Sequence, residues 1–257
     1  MNNSLPVLFL SHGAPNILLH RDPLLDEWRQ QLKGISNPDA VLVVSAHWVT
    51  DEVTVGGNHN QRTIHDFYGF PDELYDYQYP AVNGCDLAEE LVERCDLQLD
   101  HERGLDHGAW VPLVALFPGA DIPVAHMSVS LRMDCESHYQ LGHDLAYLRR
   151  KNILIIASGV IVHNLRALDW RNPSADPEPW ATDFMSAFQH AIDGNDMAAL
   201  CHPLNFPNGH MAMPTMEHYL PFMVALGAAQ GDRPHRICDE WRYANLGMHG
   251  YRFALEC

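Results

Sequence analysis

The run AVLVVSA at residues 40–46, ended by His47, decides the architecture of this chain. Its seven residues are apolar or small, rich in β-branched side chains and without polar alternation, the pattern of a strand buried on both faces. Three more runs have the same character: Pro6–Ser11 (PVLFLS), Ile122–Val129 and Ile153–Ser158 (ILIIAS). Between them the spacing turns helical. Leu24, Leu25, Trp28 and Leu32 share one face, as do Leu87, Leu91, Val92 and Cys95, and similar patterns cover Ser137–Arg150, Pro179–Ile192 and Glu217–Ala229. Pro179 suits a first helical turn, and Thr215 precedes Glu217 near a helix start. Strands alternating with helices predict an α/β fold: one domain over residues 1–257, with a largely parallel or mixed central sheet and helices on both faces. The Pro/Asp/Ser-rich stretch Asp169–Pro179 reads as a long surface loop.

Composition narrows the function. With 47% hydrophobic residues the chain can bury a core, which excludes a disordered or fibrous protein. Sixteen Lys and Arg against 33 Asp and Glu give 16 − 33 = −17, which argues against nucleic acid or an anionic membrane as partner. The start MNNSLPVLFLSHG lacks the basic, long apolar form of a secretion signal, and no run approaches the ~20 apolar residues of a membrane span. A cytoplasmic protein is expected, as a monomer or small homo-oligomer. Six cysteines without a CxxC pair read as reduced thiols.

Histidine is the anomaly: 17 in 257 residues, more than Lys and Arg together. Three stand just beyond apolar runs. His12 follows VLFLS, His47 ends VLVVSA, and His163 follows ILIIASGVIV. In open α/β sheets ligands gather outside the carboxyl ends of the strands, so parallel strands would bring these imidazoles together. His218, within PTMEHYLP (214–221), is a fourth candidate, while His65 (HDFYGFP) and His107 (DHGAW) occupy loops suited to lining a pocket. His59, His138, His143, His190 and His249 have bland settings, and Phe67, Tyr68, Phe70 and Tyr75 read as cover over a core edge. An all-imidazole set suits Zn, Cu, Fe or Ni; three ligands leave room for substrate, whereas four close a tetrahedral site. No GxGxxG after a strand, GxxxxGK[ST], HExxH or GxSxG occurs, and no serine is singled out as a nucleophile.

Seven segments then run in order along most of the chain: FLSHGAP (9–15), VVSAHW (43–48), IHDFYGFP (64–71), LDHGAW (105–110), ASGVIVHNLR (157–166), HPL (202–204) and PTMEHYLP (214–221). Together they resemble the 4,5-DOPA extradiol dioxygenase-like family, within the class III extradiol ring-cleavage dioxygenases. The resemblance implies one divalent ion per chain on His12, His47 and His218, with His163 in or beside the coordination sphere. It implies His163 and His107 as acid/base residues, and His65, His107 and Tyr219 as substrate-binding residues. The implied reaction opens a DOPA-like catechol with O2 to a muconic semialdehyde-type product. Fe(II) is the expected metal, with Zn(II) as another ion the site can hold. The wider superfamily uses two histidines and a carboxylate, which makes Glu217 the rival of His218. On a helix these neighbours point ~100° apart, so only one should bind the ion, and His218 is preferred. Two other readings share the histidines: a zinc-dependent hydrolase or lyase, and a non-catalytic metal-binding protein with a closed four-histidine site.

Overall fold

The computed structural model describes residues 4–19, 22–57 and 61–254, which leaves His59 and Cys257 outside the described residues. The strands are β1 (Val7–Ser11), β2 (Ala40–Thr50), β3 (Thr54–Gly56), β4 (Val82–Asn83), β5 (Gln98–Asp100), β6 (Pro123–Ser130), β7 (Ile153–Gly159), β8 (Arg233–Cys238), β9 (Trp241–Arg242), β10 (Leu246–Gly247) and β11 (Gly250–Ala254). The helices are α1 (Pro23–Gln30), α2 (Cys85–Cys95), α3 (His107–Leu116), α4 (Cys135–Leu145), α5 (Pro179–Asp193), α6 (Met197–Cys201), α7 (Gly209–Ala212) and α8 (Leu220–Ala229).

Nine strands form one mixed sheet in the order β5-β3-β6-β2-β7-β1-β11-β8, with β4 paired to β6. Its centre is parallel: β6, β2, β7 and β1 run the same way. β11 and β8 extend it antiparallel beyond β1, and β3 pairs antiparallel with β6. The central strands send alternate residues to opposite faces. Phe9, Leu42, Val44 and Ile155 join α4, α5 and α8 in one core, while Leu8, Leu10, Val43 and Ile156 join α1 and α3 in the other. Burial on both faces explains why these strands read as continuous apolar runs.

The predicted strands match β1, β2, β6 and β7, although β2 continues four residues past Ala46, to Thr50. The helix expected over Ser137–Arg150 is α4 followed by a 3-10 stretch, Ala146–Lys151. The helix expected from Glu217 starts only at Leu220, so Glu217 and His218 stand in the turn before it. Asp169–Pro179 is the expected irregular stretch up to its last residue, which opens α5. No helix among the described residues is long and apolar enough to cross a membrane.

Candidate metal centre and active site

The carboxyl ends of the parallel strands carry the histidines. His12 directly follows β1, and Gly13, at φ +59°, makes the left-handed turn after it that a side chain would resist. His47 stands in β2 where the pairing with β6 shifts register, between Val44 and Val49. His163 comes four residues after β7, and His218 sits at the entrance to α8.

His12 and His47 bring their Nε2 atoms to 3.0 Å, and those of His218 and His47 are 3.3 Å apart. Each ring is held from its other nitrogen. His12 Nδ1 lies 2.9 Å from Ser158 Oγ, His47 Nδ1 lies 3.1 Å from Asp66 Oδ2, and His218 Nδ1 lies 3.1 Å from Glu217 Oε1. With Nδ1 the protonated nitrogen in each ring, three Nε2 lone pairs face one another with no proton between them. That arrangement calls for a cation. Two nitrogens on one tetrahedral ion at ~2.0–2.1 Å lie roughly 3.3 Å apart, so the observed spacing fits a shared metal. Neutrality fits too: burial, then the facing imidazoles of His47, His107 and His218, hold His12 well below the ordinary histidine range. Burial likewise lowers His218.

Orienting carboxylates surround the trio. Asp66 accepts from His47 through one oxygen and from His107 Nδ1 through the other, at 2.8 Å. Partial burial pushes Asp66 up, but these hydrogen bonds outweigh it and hold the carboxyl well below the usual range. Glu217 accepts from Thr215 Oγ1 at 2.7 Å as well as from His218. Burial opposes this, yet the hydrogen bonds bring it down to about 2. Glu217 meets the Nδ1 side of His218, whereas Nε2 faces His47, so it orients the ring. Neither residue is in the helix, so this contact, not a helical angle, sets Glu217 apart from the three facing nitrogens. Asp106, fully buried, caps α3 through Ala109 N and accepts from Ser45 Oγ at 2.5 Å, which fixes the helix that begins at His107. Gly108 permits this approach: a Cβ there would lie 2.6 Å from Ser45 Oγ.

His163 lies outside the trio. Its ring stacks on His218 with centroids 4.6 Å apart, and its Nε2 is 3.4 Å from Thr215 Oγ1. Its candidate metal set is Glu217 and His218, not His12 and His47. Its Nδ1 is buried without a partner, and burial, then His218, bring its pKa down to about 3. The structure thus separates His163 from the three facing nitrogens and does not assemble a closed four-histidine site. His107 stands close by, its ring 3.9 Å from His47 and 5.3 Å from His12.

Two expected substrate residues are not at the cavity. His65 Nε2 faces Tyr77 O at 2.9 Å, and its ring packs against Phe67, Tyr75 and Trp110, behind the wall. Tyr219 is fully buried in the core against Phe188 and Phe222, and its hydroxyl donates to Leu200 O. It is the residue after His218 and faces away from the site into the apolar layer. Conversely, Phe67, Tyr68 and Phe70 are not simply core cover. With His107, His163 and the trio they line a cavity of about 860 Å³.

This geometry has counterparts. Residues 8–254 match the family described as the catalytic LigB subunit of aromatic ring-opening dioxygenase. The chain belongs to the LigB family. A 4,5-DOPA dioxygenase extradiol of Escherichia coli K12 is 38% identical over 91% of this chain and 88% of its own length. One of Beta vulgaris is 35% identical over 98% and 97%. A crystal structure of an uncharacterized Escherichia coli K12 protein superposes with a TM-score of 0.82 at 31% identity, covering 97% of this chain and all of that one. As a LigB-family protein the chain is an extradiol, aromatic ring-opening dioxygenase of a metal-dependent family, and its histidine-rich cluster could bind a metal. Asp66 was missed in the sequence: it is 41 residues from His107, and only the loop's return over α3 joins them.

Proposed function

We propose that this LigB-family chain is a cytoplasmic, single-domain enzyme that cleaves a catechol beside its diol with O2, giving a muconic semialdehyde-type product. His12, His47 and His218 hold one divalent ion, Fe(II) in the working enzyme. The observation that carries the proposal is the convergence of three Nε2 atoms, each on a ring anchored through Nδ1, beneath a cavity large enough for an aromatic substrate.

When bound, the ion supplies positive charge that acidifies the diol and, as redox-active Fe(II) rather than Zn(II), the electrons dioxygen needs. The protein supplies positioning and proton transfer. His163 lines the cavity as a neutral imidazole and is the residue assigned here to take the proton of a catechol hydroxyl. His107, tied to Asp66 through Nδ1, leaves its other nitrogen free to accept a proton released from the substrate and to give the same proton back as the ring opens. Phe67 and Phe70 exclude bulk water from one side.

Protein reconstituted anaerobically with Fe(II) should consume O2 and yield a yellow ring-opened product with at least one of a broad catechol panel. No uptake with any of them overturns the proposal. His47→Ala should lose the ion, whereas His163→Ala should keep it and lose roughly 100-fold or more in turnover. Metal analysis beside the oxygen trace reads both; an ion lost from His163→Ala would make His163 a ligand.

A further inference from the structure

Two cavities meet at one side chain. The cavity lined by the histidines, about 860 Å³, and a second groove of about 670 Å³ share Asn16, Pro173 and Tyr243 in their linings. Tyr243 is buried and fastened through backbone, hydroxyl and ring. Its N–H donates to Pro173 O at 3.0 Å, and its carbonyl accepts from Asp169 N at 2.9 Å. Its hydroxyl accepts from Asn16 Nδ2 at 3.3 Å, and its ring centroid lies 5.0 Å from that of Trp170. Tyr243 therefore ties the 169–173 loop to the turn Pro15–Leu18, and it stands as the partition between the two spaces.

The backbone accepts strain to make this placement. Between β9 and β10 the chain turns through Tyr243, Ala244 and Asn245, and the first two hold φ at +52° and +68°. Glycine takes such angles freely, whereas tyrosine and alanine resist them through their Cβ atoms. A hairpin that needed only a turn would carry glycine or asparagine at these positions. Strain of this kind persists where surrounding contacts over-determine it, and here those contacts set an aromatic ring into the cavity wall.

The chemistry differs on the two sides of that ring. Among its described lining residues the second groove carries Asp22, Asp176, Asp239 and Glu240 against Arg242, a formal balance of 1 − 4 = −3. Arg242 is itself bonded to Asp22 and Glu240. The first cavity instead has an apolar, exposed rim of Tyr68, Leu165 and Trp170.

Resting on the ring-cleavage reading above, we infer that Tyr243 is a specificity-determining residue: it confines the substituent on the catechol ring to the apolar side and denies it the acidic groove. Taking the ring away joins the two spaces, and a chain that ends in a cation then gains a place to go.

The test uses the Fe(II)-loaded full-length protein with 4-hexylcatechol and 4-(6-aminohexyl)catechol, which share chain length and differ in the end group. Wild-type protein should favour the hexyl compound, because burying an ammonium group against an apolar rim costs solvation without a partner. Tyr243→Gly keeps the left-handed turn without a Cβ to strain it, and should raise the aminohexyl-to-hexyl ratio of kcat/KM by roughly 10-fold, the worth of one hydrogen bond to a charged group. Tyr243→Phe keeps the ring and should keep the wild-type ratio. Asn16→Ala thins the same wall from its other side and should move the ratio in the direction of Tyr243→Gly. A looser cavity alone would help both chains equally. A ratio unmoved in Tyr243→Gly and Asn16→Ala, or moved as far by Tyr243→Phe as by Tyr243→Gly, overturns the inference, as does a wild-type preference for the amine. Anaerobic calorimetry with the same two compounds reads the ratio of affinities without turnover. Absence of O2 uptake with every catechol, beside a calorimetric ratio that shifts in Tyr243→Gly, would sink the ring-cleavage reading and leave the partition standing.

Discussion

Asp66 serves two imidazoles, one oxygen for His47, proposed as a metal ligand, and the other for His107, proposed to meet substrate. A carboxylate behind a ligand histidine fixes its tautomer and raises its basicity. Asp66→Asn keeps the size but removes the charge, and its amide nitrogen has no lone pair for one of the two N–H groups. One imidazole must then turn or change tautomer. Metal affinity or turnover is expected to fall roughly 10–100-fold, the usual cost of losing such an orienting partner. Metal titration and O2 uptake on the same preparation separate the two rings. Loss of affinity reports on His47, and loss of turnover at saturating metal reports on His107. A variant equal to wild type in both would mean that the two rings are positioned by packing alone.

At the scale of elements, β6 holds a histidine with no visible function. His126 is fully buried against the Trp48 ring, 4.6 Å between centroids, and neither ring nitrogen has a partner among the described residues. Burial brings its pKa from 6.5 down to about 4. The folded chain thus binds fewer protons than the unfolded one between those values, so this residue lowers stability as pH falls through that window and has no effect above it. The full drop is 6.5 − 4 = 2.5 units, or roughly 3 kcal/mol at ~1.36 kcal/mol per unit. His126→Phe, which keeps a ring against Trp48, should flatten that slope, and urea unfolding at pH 7 and pH 5 would show its advantage growing at the lower pH. Equal slopes in the two proteins would place the titration elsewhere. The same elements show what could be read beforehand. Strands buried on both faces are legible as apolar runs, and His12, His47 and His163 stood out because each run ends beside one. Helix α3 escaped notice because all ten of its residues are buried, so it has no polar face to create a 3.6-residue rhythm, and it contains Pro112. The short β3, β4, β5, β9 and β10 carry too few residues for a pattern, while β8 and β11 interrupt their apolar residues with arginine. Tyr219 was misplaced because adjacency to His218 in sequence says nothing about which way a turn sends the next side chain.

For the whole molecule, a chain of net charge −17 concentrates neutral nitrogen donors at one end of its sheet and sets Asp66 and Glu217 behind them. The field favours a cation, and the facing lone pairs offer it a seat that the unfolded chain lacks, since His12, His47 and His218 are spread over more than 200 residues. Binding to the folded state alone stabilises by RT ln(1 + [L]/Kd), about 2.7 kcal/mol at a hundredfold excess over Kd. A domain of this size shifts by roughly 2–4 °C per kcal/mol, so metal should raise Tm by roughly 5–10 °C over protein stripped with a chelator. Each further tenfold in free metal should add about 1.4 kcal/mol until the site's own chemistry limits it. Zn(II) and Fe(II) should both produce the shift, because stabilisation needs only the donor set, whereas O2 consumption should follow Fe(II) alone. His47→Ala removes the ring that touches both others, so its Tm should respond weakly to either ion. Calorimetric scans of both proteins across a metal series decide the matter, and a metal response equal in the two would mean that the ion binds somewhere other than the convergence of His12, His47 and His218.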